Sequence, residues 1–253
     1  DVTGAIADLV YNNYAYAPIR LDGYYSADRI NADISVNDPN ADLVLHADYD
    51  TKGKQKSIAL TADAEHLNPH ALHLIKSHEN TDFAFTADGQ FSGTTLDDMR
   101  GSFVLSDFEL VDDTHSWALD NFSFKAMPVD NNMKNYLLLS DFMEATVSGA
   151  FSLETIGHSL RSVLADYEPT LVSVLGKKAK ASPAADETNP DQLSFHVNFT
   201  DATVLNELAG IPLTLLSPVK MDGYLIHDDL HLNASAPRID YAGNALRGVV
   251  VDL

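Results

Sequence analysis

The chain of 253 residues contains no cysteine. Disulfides, thiolate metal sites and a cysteine nucleophile are therefore excluded. The compartment is left open, since many extracytoplasmic bacterial proteins also lack cysteine. Basic residues are scarce: 16 Lys and Arg stand against 37 Asp and Glu, for a net charge of -21. Such a surface repels phosphate backbones, so no nucleic-acid partner is expected, and electrostatic docking on anionic headgroups is equally disfavoured. Solubility is the first explanation of the acidity. Long hydrophobic runs are absent too; no stretch reaches the ~18 apolar residues of a membrane helix. The motifs G-x-S-x-G, P-loop, G-x-G-x-x-G and H-E-x-x-H do not occur. A start at Asp1 without signal peptide, and an end inside Val249-Val250-Val251, lead us to expect an excerpt of a longer protein.

What is present is alternation. Hydrophobic residues make up 45% of the chain, enough for a sizeable core rather than a disordered tail. Val2, Gly4 and Ile6 lead to a tyrosine-rich patch, Tyr11, Tyr14 and Tyr16, read together as strand. Ile19 and Leu21 lead into Asp22-Gly23, a turn or bulge signal. Ile30 to Val36 alternates and closes at Asn37-Asp38-Pro39-Asn40, strong turn chemistry. Leu43 to Tyr49 and Ile58 to Ala64 follow, then Phe83 to Ala87, Gly101 to Leu105, Trp117 with Leu119, Phe122 with Phe124, Leu137 with Leu139, and Ala145 to Phe151. Period two with polar residues between predicts strands of a meander with one apolar face. The period then changes: Leu153, Ile156, Leu160, Val163, Leu164 and Tyr167 step by three and four, the stripe of an amphipathic helix, with Ser152 placed as its cap and Pro169 at its end. Asn68-Pro69 suits a single helical turn, and Thr203 to Leu208 a short helix after Asp201.

Residues 177–191 (KKAKASPAADETNPD) lack large apolar side chains and read as a linker. The expected division is a β meander ending in a helix over 1–176, the linker 177–191, and a second β segment over 192–253. Leu21-Asp22-Gly23-Tyr24 recurs as Met221-Asp222-Gly223-Tyr224, and Tyr11 to Leu21 resembles Tyr241 to Val251 in apolar placement. These echoes favour a repetitive β protein in which the last segment starts a further unit.

Candidate chemistry is thin. His66, His70 and His73 have the spacing of one helix face and of metal ligands, but Pro69 lies among them and no acidic ligand joins them; a solvated loop is the simpler reading. His227, Asp229 and His231 would share a strand face, as ordinary exposed polar positions also do. The doublets Asp97-Asp98, Asp112-Asp113 and Asp228-Asp229 point to opposite faces of a strand and so make no acid pair by themselves. A carbohydrate-active protein depending on Asp112 or Asp228 is the reading they would support. Asn-x-Ser/Thr sequences at Asn121, Asn198 and Asn233 fall within predicted strands. No catalytic residue, cofactor or metal site is expected.

An ordered set of stretches carries a resemblance: INADISVNDPNADLVLHADYD (Ile30 to Asp50), FTADGQFSGTTLDDMRGSFVLSDFEL (Phe85 to Leu110), WALDNFSFKA (Trp117 to Ala126) and LLLSDFMEATVSGAFSLETIGHSLRSVLADYEPTL (Leu137 to Leu171). In their order they resemble the AsmA-like superfamily, in the Bacteroidetes form of its translocation and assembly module (TamB) family. The resemblance implies an interior piece of a long periplasmic protein anchored in the inner membrane outside this fragment. It implies a β-taco, a sheet rolled into a trough with an apolar lining. It also implies a role in outer-membrane biogenesis, through phospholipid transport or assistance to outer-membrane proteins, with no catalytic residues.

The expectation is thus a mainly β fold with one substantial helix, a curved antiparallel sheet, β-taco-like or an open barrel, and elongated. Its partners would be phospholipid acyl chains or outer-membrane β-barrel proteins. Strand parity assigns Ile34, Val36, Leu43, Leu45, Ile58, Leu60, Phe83, Phe85, Phe103, Leu105, Phe122, Phe124, Val147 and Phe151 to the trough, although each bulge flips parity. A closed core covered by the helix, and a scaffold that binds nascent strands at its edges, are the alternatives.

Overall fold

The computed structural model describes residues 1–76, 79–95, 97–113, 116–129, 133–153, 156, 192–203, 212–226 and 229–252. The described chain is mostly antiparallel β-sheet, in two compact units: Asp1–Thr94 with Arg100–Phe124, and Thr95–Met99 with Lys125–Leu253.

The first unit contains β1 (Val2–Ile6), β2 (Leu9–Tyr11), β3 (Tyr14–Tyr16), β4 (Ile19–Tyr25), β5 (Arg29–Asp38), β6 (Ala41–Asp50), β7 (Lys56–Leu67), β8 (Asp82–Gly93), β9 (Arg100–Val111) and β10 (Ser116–Pro128), whose last four residues belong to the second unit. β2 and β3 form a hairpin of their own, and the others run in the order β1-β4-β5-β6-β7-β8-β9-β10. Local chemistry sets the turns. Asp38 Oδ1 accepts the Asn40 N–H at 2.9 Å and closes the β5–β6 turn. Asn12 and Asn13, at φ 49° and 66°, make the left-handed pair that joins β2 to β3. The run from Asp1 to Tyr16, read from sequence as strand, is therefore divided into three strands. Asn68 caps one turn as expected, its Oδ1 accepting the Ala71 N–H at 2.8 Å.

Asp22-Gly23 is not a turn. It lies inside β4, with Gly23 opposite Ala32 of β5. A Cβ on Gly23 would come within 2.4 Å of the Asn31 carbonyl oxygen, so glycine serves close backbone approach there. Gly223, its echo, has the same surroundings: a Cβ would meet the His231 carbonyl oxygen at 2.3 Å.

The second unit contains β11 (Met133–Ser140), β12 (Met143–Ala150), β13 (Gln192–Phe199), β14 (Leu213–Leu215), β15 (Val219–Ile226), β16 (Asp229–Tyr241) and β17 (Asn244–Asp252). Its order is β11-β12-β13-β15-β16, with β14 and β17 also paired to β16. β12 and β13 pair directly from Met143↔Phe199 to Ala150↔Gln192, so residues 151–191 form an excursion between neighbouring strands. The expected linker 177–191 lies outside the described residues.

The described elements are seventeen strands, and the expected substantial helix cannot be read among them. Most of Leu153 to Tyr167 lies outside the described residues. At its start the Ile156 N–H donates to the Ser152 carbonyl at 2.8 Å, an i to i−4 bond. Ser152 directs its hydroxyl to Asp97. Residues 204–208, expected as a short helix, also lie outside the described set.

Candidate functional site

Directly opposed residues in antiparallel strands share a face, so register shows what parity alone leaves open. In the first unit Leu21 opposes Ile34, Ile34 opposes Leu45, and Leu45 opposes Ala62 and through it Ala87 and Leu105. A second row runs from Ile19 through Val36 and Leu43 to Ala64 and Phe85. A third runs from Ala47 through Leu60 and Gly89 to Phe103, and a fourth from Ile30 through Tyr49 and Ile58 to Phe91. Phe103 reaches Phe122 with ring centroids 6.4 Å apart, and Phe91 reaches Phe124 at 6.5 Å. All twelve candidates of this unit thereby belong to one apolar face.

Bulges maintain that face where parity would lose it. Pairing of β7 shifts between Ala64 and Leu67, which brings Leu67 opposite Phe83. Pairing of β9 shifts opposite Phe85, where Asp107 adopts φ 52°. Phe108 and Leu110 thus follow Leu105 on the same face despite the odd spacing. Phe83, Phe108 and Trp117 then form a ring series with centroids 6.0 and 5.5 Å apart.

Burial on this face is uneven. Ala62, Ala64 and Ala87, Ala41 at one end and Leu110 are buried, while Ile34, Val36, Leu43, Leu45, Leu60, Phe83, Phe85, Phe103, Leu105, Phe122 and Phe124 are only half-buried. Ile58 is 44% exposed. The opposite face is polar. There His46 contacts Asp33 at 2.6 Å, and Arg29 pairs with Asp48 at 2.5 Å and holds its carboxyl below the usual range.

The second unit has its own apolar face. Tyr136 opposes Val147, which opposes Phe195, then Gly223 and Leu232; beside them Gly149, Leu193, Leu225 and Leu230 oppose one another. Phe151, Leu193, Leu225 and Leu230 are buried together, with Val147, Tyr136, Leu153 and Ile156 packed around them. Phe151, a remaining candidate, therefore belongs to the buried cluster of this unit, and Val147, the other, packs against it. Leu225 is fully buried.

Lys134 interrupts this face. It opposes Gly149 and is only 6% exposed. Its ammonium donates to Asp97 Oδ1 at 2.8 Å and to the Phe151 carbonyl, and lies 5.4 Å from the Phe151 ring centre. Asp97 Oδ1 also accepts the Leu153 N–H at 2.7 Å. Burial pushes the Asp97 carboxyl up, but Lys134, the Leu153 amide and the Ser152 hydroxyl outweigh it and leave it below the usual carboxylate range. Asp97 thereby ties residues 95–99 to the start of the 151–191 excursion. Periodicity gave no sign of this, because a lysine in an alternating run reads as solvent-facing.

The histidines do not converge. His66 contacts Asp82 at 3.2 Å, His70 lies 4.0 Å from Glu79, and His73 Nδ1 lies 2.8 Å from the Asn12 carbonyl. His231 stacks on Tyr224 at 4.5 Å and lies 3.7 Å from Asp229, while His227 and Asp228 are outside the described residues. Among the described residues no group of three or more His or acidic side chains is arranged to hold a metal. Asp98 accepts the Thr95 N–H at 2.7 Å, and Asp113 accepts from Asn80 Nδ2 at 2.7 Å.

These features define a one-sided antiparallel β-sheet whose apolar residues align in cross-strand rows. Comparison with known proteins adds no family: no family model, curated protein or solved structure matches the chain.

Proposed function

We propose that the chain is a non-catalytic, periplasmic segment of an AsmA/TamB-like protein of outer-membrane biogenesis, and that the first unit's apolar face holds phospholipid acyl chains. In this reading the sheet curves into an elongated β-taco, and the parent protein is anchored in the inner membrane. One observation carries the proposal: register from β4 to β9, continued by ring contacts to Phe122 and Phe124 of β10, aligns large apolar side chains on a single face, yet leaves most of them half-buried. A face of this kind gains about 25 cal/mol for each Å² of apolar area removed from water. Acyl chains supply such area without a charged clamp, which suits an acidic surface that disfavours anionic headgroups.

The test is native mass spectrometry of the purified chain, followed by solvent extraction. Bound phospholipid is expected, lost in Leu45→Glu, Phe85→Glu and Phe124→Glu. It should be kept in Val44→Glu, on the same strand but exposed on the polar face. Circular dichroism must be unchanged in all of them. A lipid-free mass and no uptake of added phospholipid would sink the proposal. A strand-binding scaffold would then lead; it is favoured by β17, which pairs only with β16 among the described residues.

A further inference from the structure

Building on the acyl-chain reading of the first unit, we propose that the β2–β3 hairpin is a releasable cap over one end of its apolar face, latched by the Asp38 side chain. Asp38 opposes Ala41 just as Val36 opposes Leu43, so its side chain stands on the apolar face at the end of β5. Its carboxylate accepts three hydrogen bonds: from the Ala17 N–H at 2.8 Å, the Asn40 N–H at 2.9 Å, and the Tyr14 hydroxyl. Asn40 Nδ2 donates in turn to the Tyr14 hydroxyl oxygen at 2.8 Å.

The hairpin is also tied to the connection after β7. The Tyr16 hydroxyl donates to the Leu72 carbonyl at 2.8 Å, and Asn12 Nδ2 donates to the His73 carbonyl at 3.1 Å. Ala41 opposes Leu67, and the Asn68 N–H donates to the Asn40 carbonyl at 2.9 Å, so both attachment sites lie at one end of the sheet. Tyr14 and Tyr16 thus straddle that end.

Polar ties supplement modest burial in the hairpin, where Leu9, Tyr14 and Tyr16 are half-buried. Val10 is 68% exposed and Tyr11 55%, and the two three-residue strands pair only with each other. A two-stranded hairpin of this size is marginal alone in water. Elements with few buried apolar contacts open at low free energy, which is the property a movable cap requires. The buried carboxylate carries two of the ties, to the Tyr14 hydroxyl and the Ala17 N–H, so its loss weakens the hold on the cap most at a single residue.

Hydrogen–deuterium exchange on the whole chain tests the latch, using Tyr14→Phe and Asp38→Asn. Amides of residues 9–17 should exchange faster than those of β5–β8 in the wild type. They should accelerate about tenfold further in each variant, the equivalent of one hydrogen bond, with β7 and β8 unchanged and, in Tyr14→Phe, which leaves the Asp38–Asn40 turn bond in place, β5 and β6 unchanged as well. Hairpin and sheet amides that exchange together in all three forms would overturn the proposal. Stopped-flow uptake of a dansyl-labelled undecanoic acid tests the gate: the variants should load several-fold faster with unchanged saturation. A loosened hairpin with an unchanged loading rate would overturn the gating role. Uptake by none of the forms would sink the acyl-chain reading instead, and exchange would still decide the latch.

Discussion

Lys134 shows how one residue departs from its pattern. A buried ammonium costs free energy unless it is paired and hydrogen-bonded, and Asp97 with the Phe151 carbonyl meets that need. Removing the lysine takes from Asp97, which is one-third exposed, only one of its partners, so Lys134→Met should destabilise the chain by about 1–3 kcal/mol. Pairing it with Asp97→Asn should recover much of the loss. Urea unfolding of both variants checks this; equal losses in the single and double variants would refute the coupling. The carboxyl also predicts a pH dependence. Its pKa is lowered on folding, so its contribution is present above the unfolded value of about 3.9 and disappears as pH falls through the folded value. Asp97→Asn should flatten the acid limb of stability against pH. Asp97 was legible only as half of a doublet, because its role depends on a lysine 37 positions away.

At the scale of elements, parity found the apolar rows and bulges decided where they continue. Ile34, Val36, Leu43 and Leu45 could be assigned from sequence because β5 and β6 pair without interruption. Phe108 and Leu110 could not, since the two-against-one pairing at Asp107 reverses the alternation between Leu105 and Leu110. Asp107 adopts φ 52°, a conformation that costs a non-glycine residue about 1 kcal/mol and a β-branched one more. Asp107→Gly should therefore be neutral or stabilising by up to about 1 kcal/mol, and Asp107→Val destabilising by about 1–2 kcal/mol. Thermal unfolding distinguishes these signs, and a destabilising Asp107→Gly would show that the side chain, not the backbone, holds the bulge. The Asp-Gly echo misled in a similar way. Asp-Gly serves hairpin turns well, but the same dipeptide suits a strand whose neighbour's backbone comes too close for a Cβ.

Charge belongs to the whole molecule. With a net charge of -21, like-charge repulsion opposes the compact state. The Debye length contracts from about 30 Å at 0.01 M salt to about 8 Å at 0.15 M. The thermal midpoint should consequently rise by a few degrees across that range in sodium chloride, and a flat or falling midpoint would show that local ion pairs outweigh the net charge. Sequence alone determined the β class, the segregation of apolar from polar residues, and the acidic net charge, because period two and net charge are local or additive properties. Only the tertiary structure decided which rows join across strands, which end carries the tyrosine hairpin, and why Lys134 and Asp38 are buried. Those outcomes rest on register, bulges and pairings between distant residues, and no short window of sequence contains both partners.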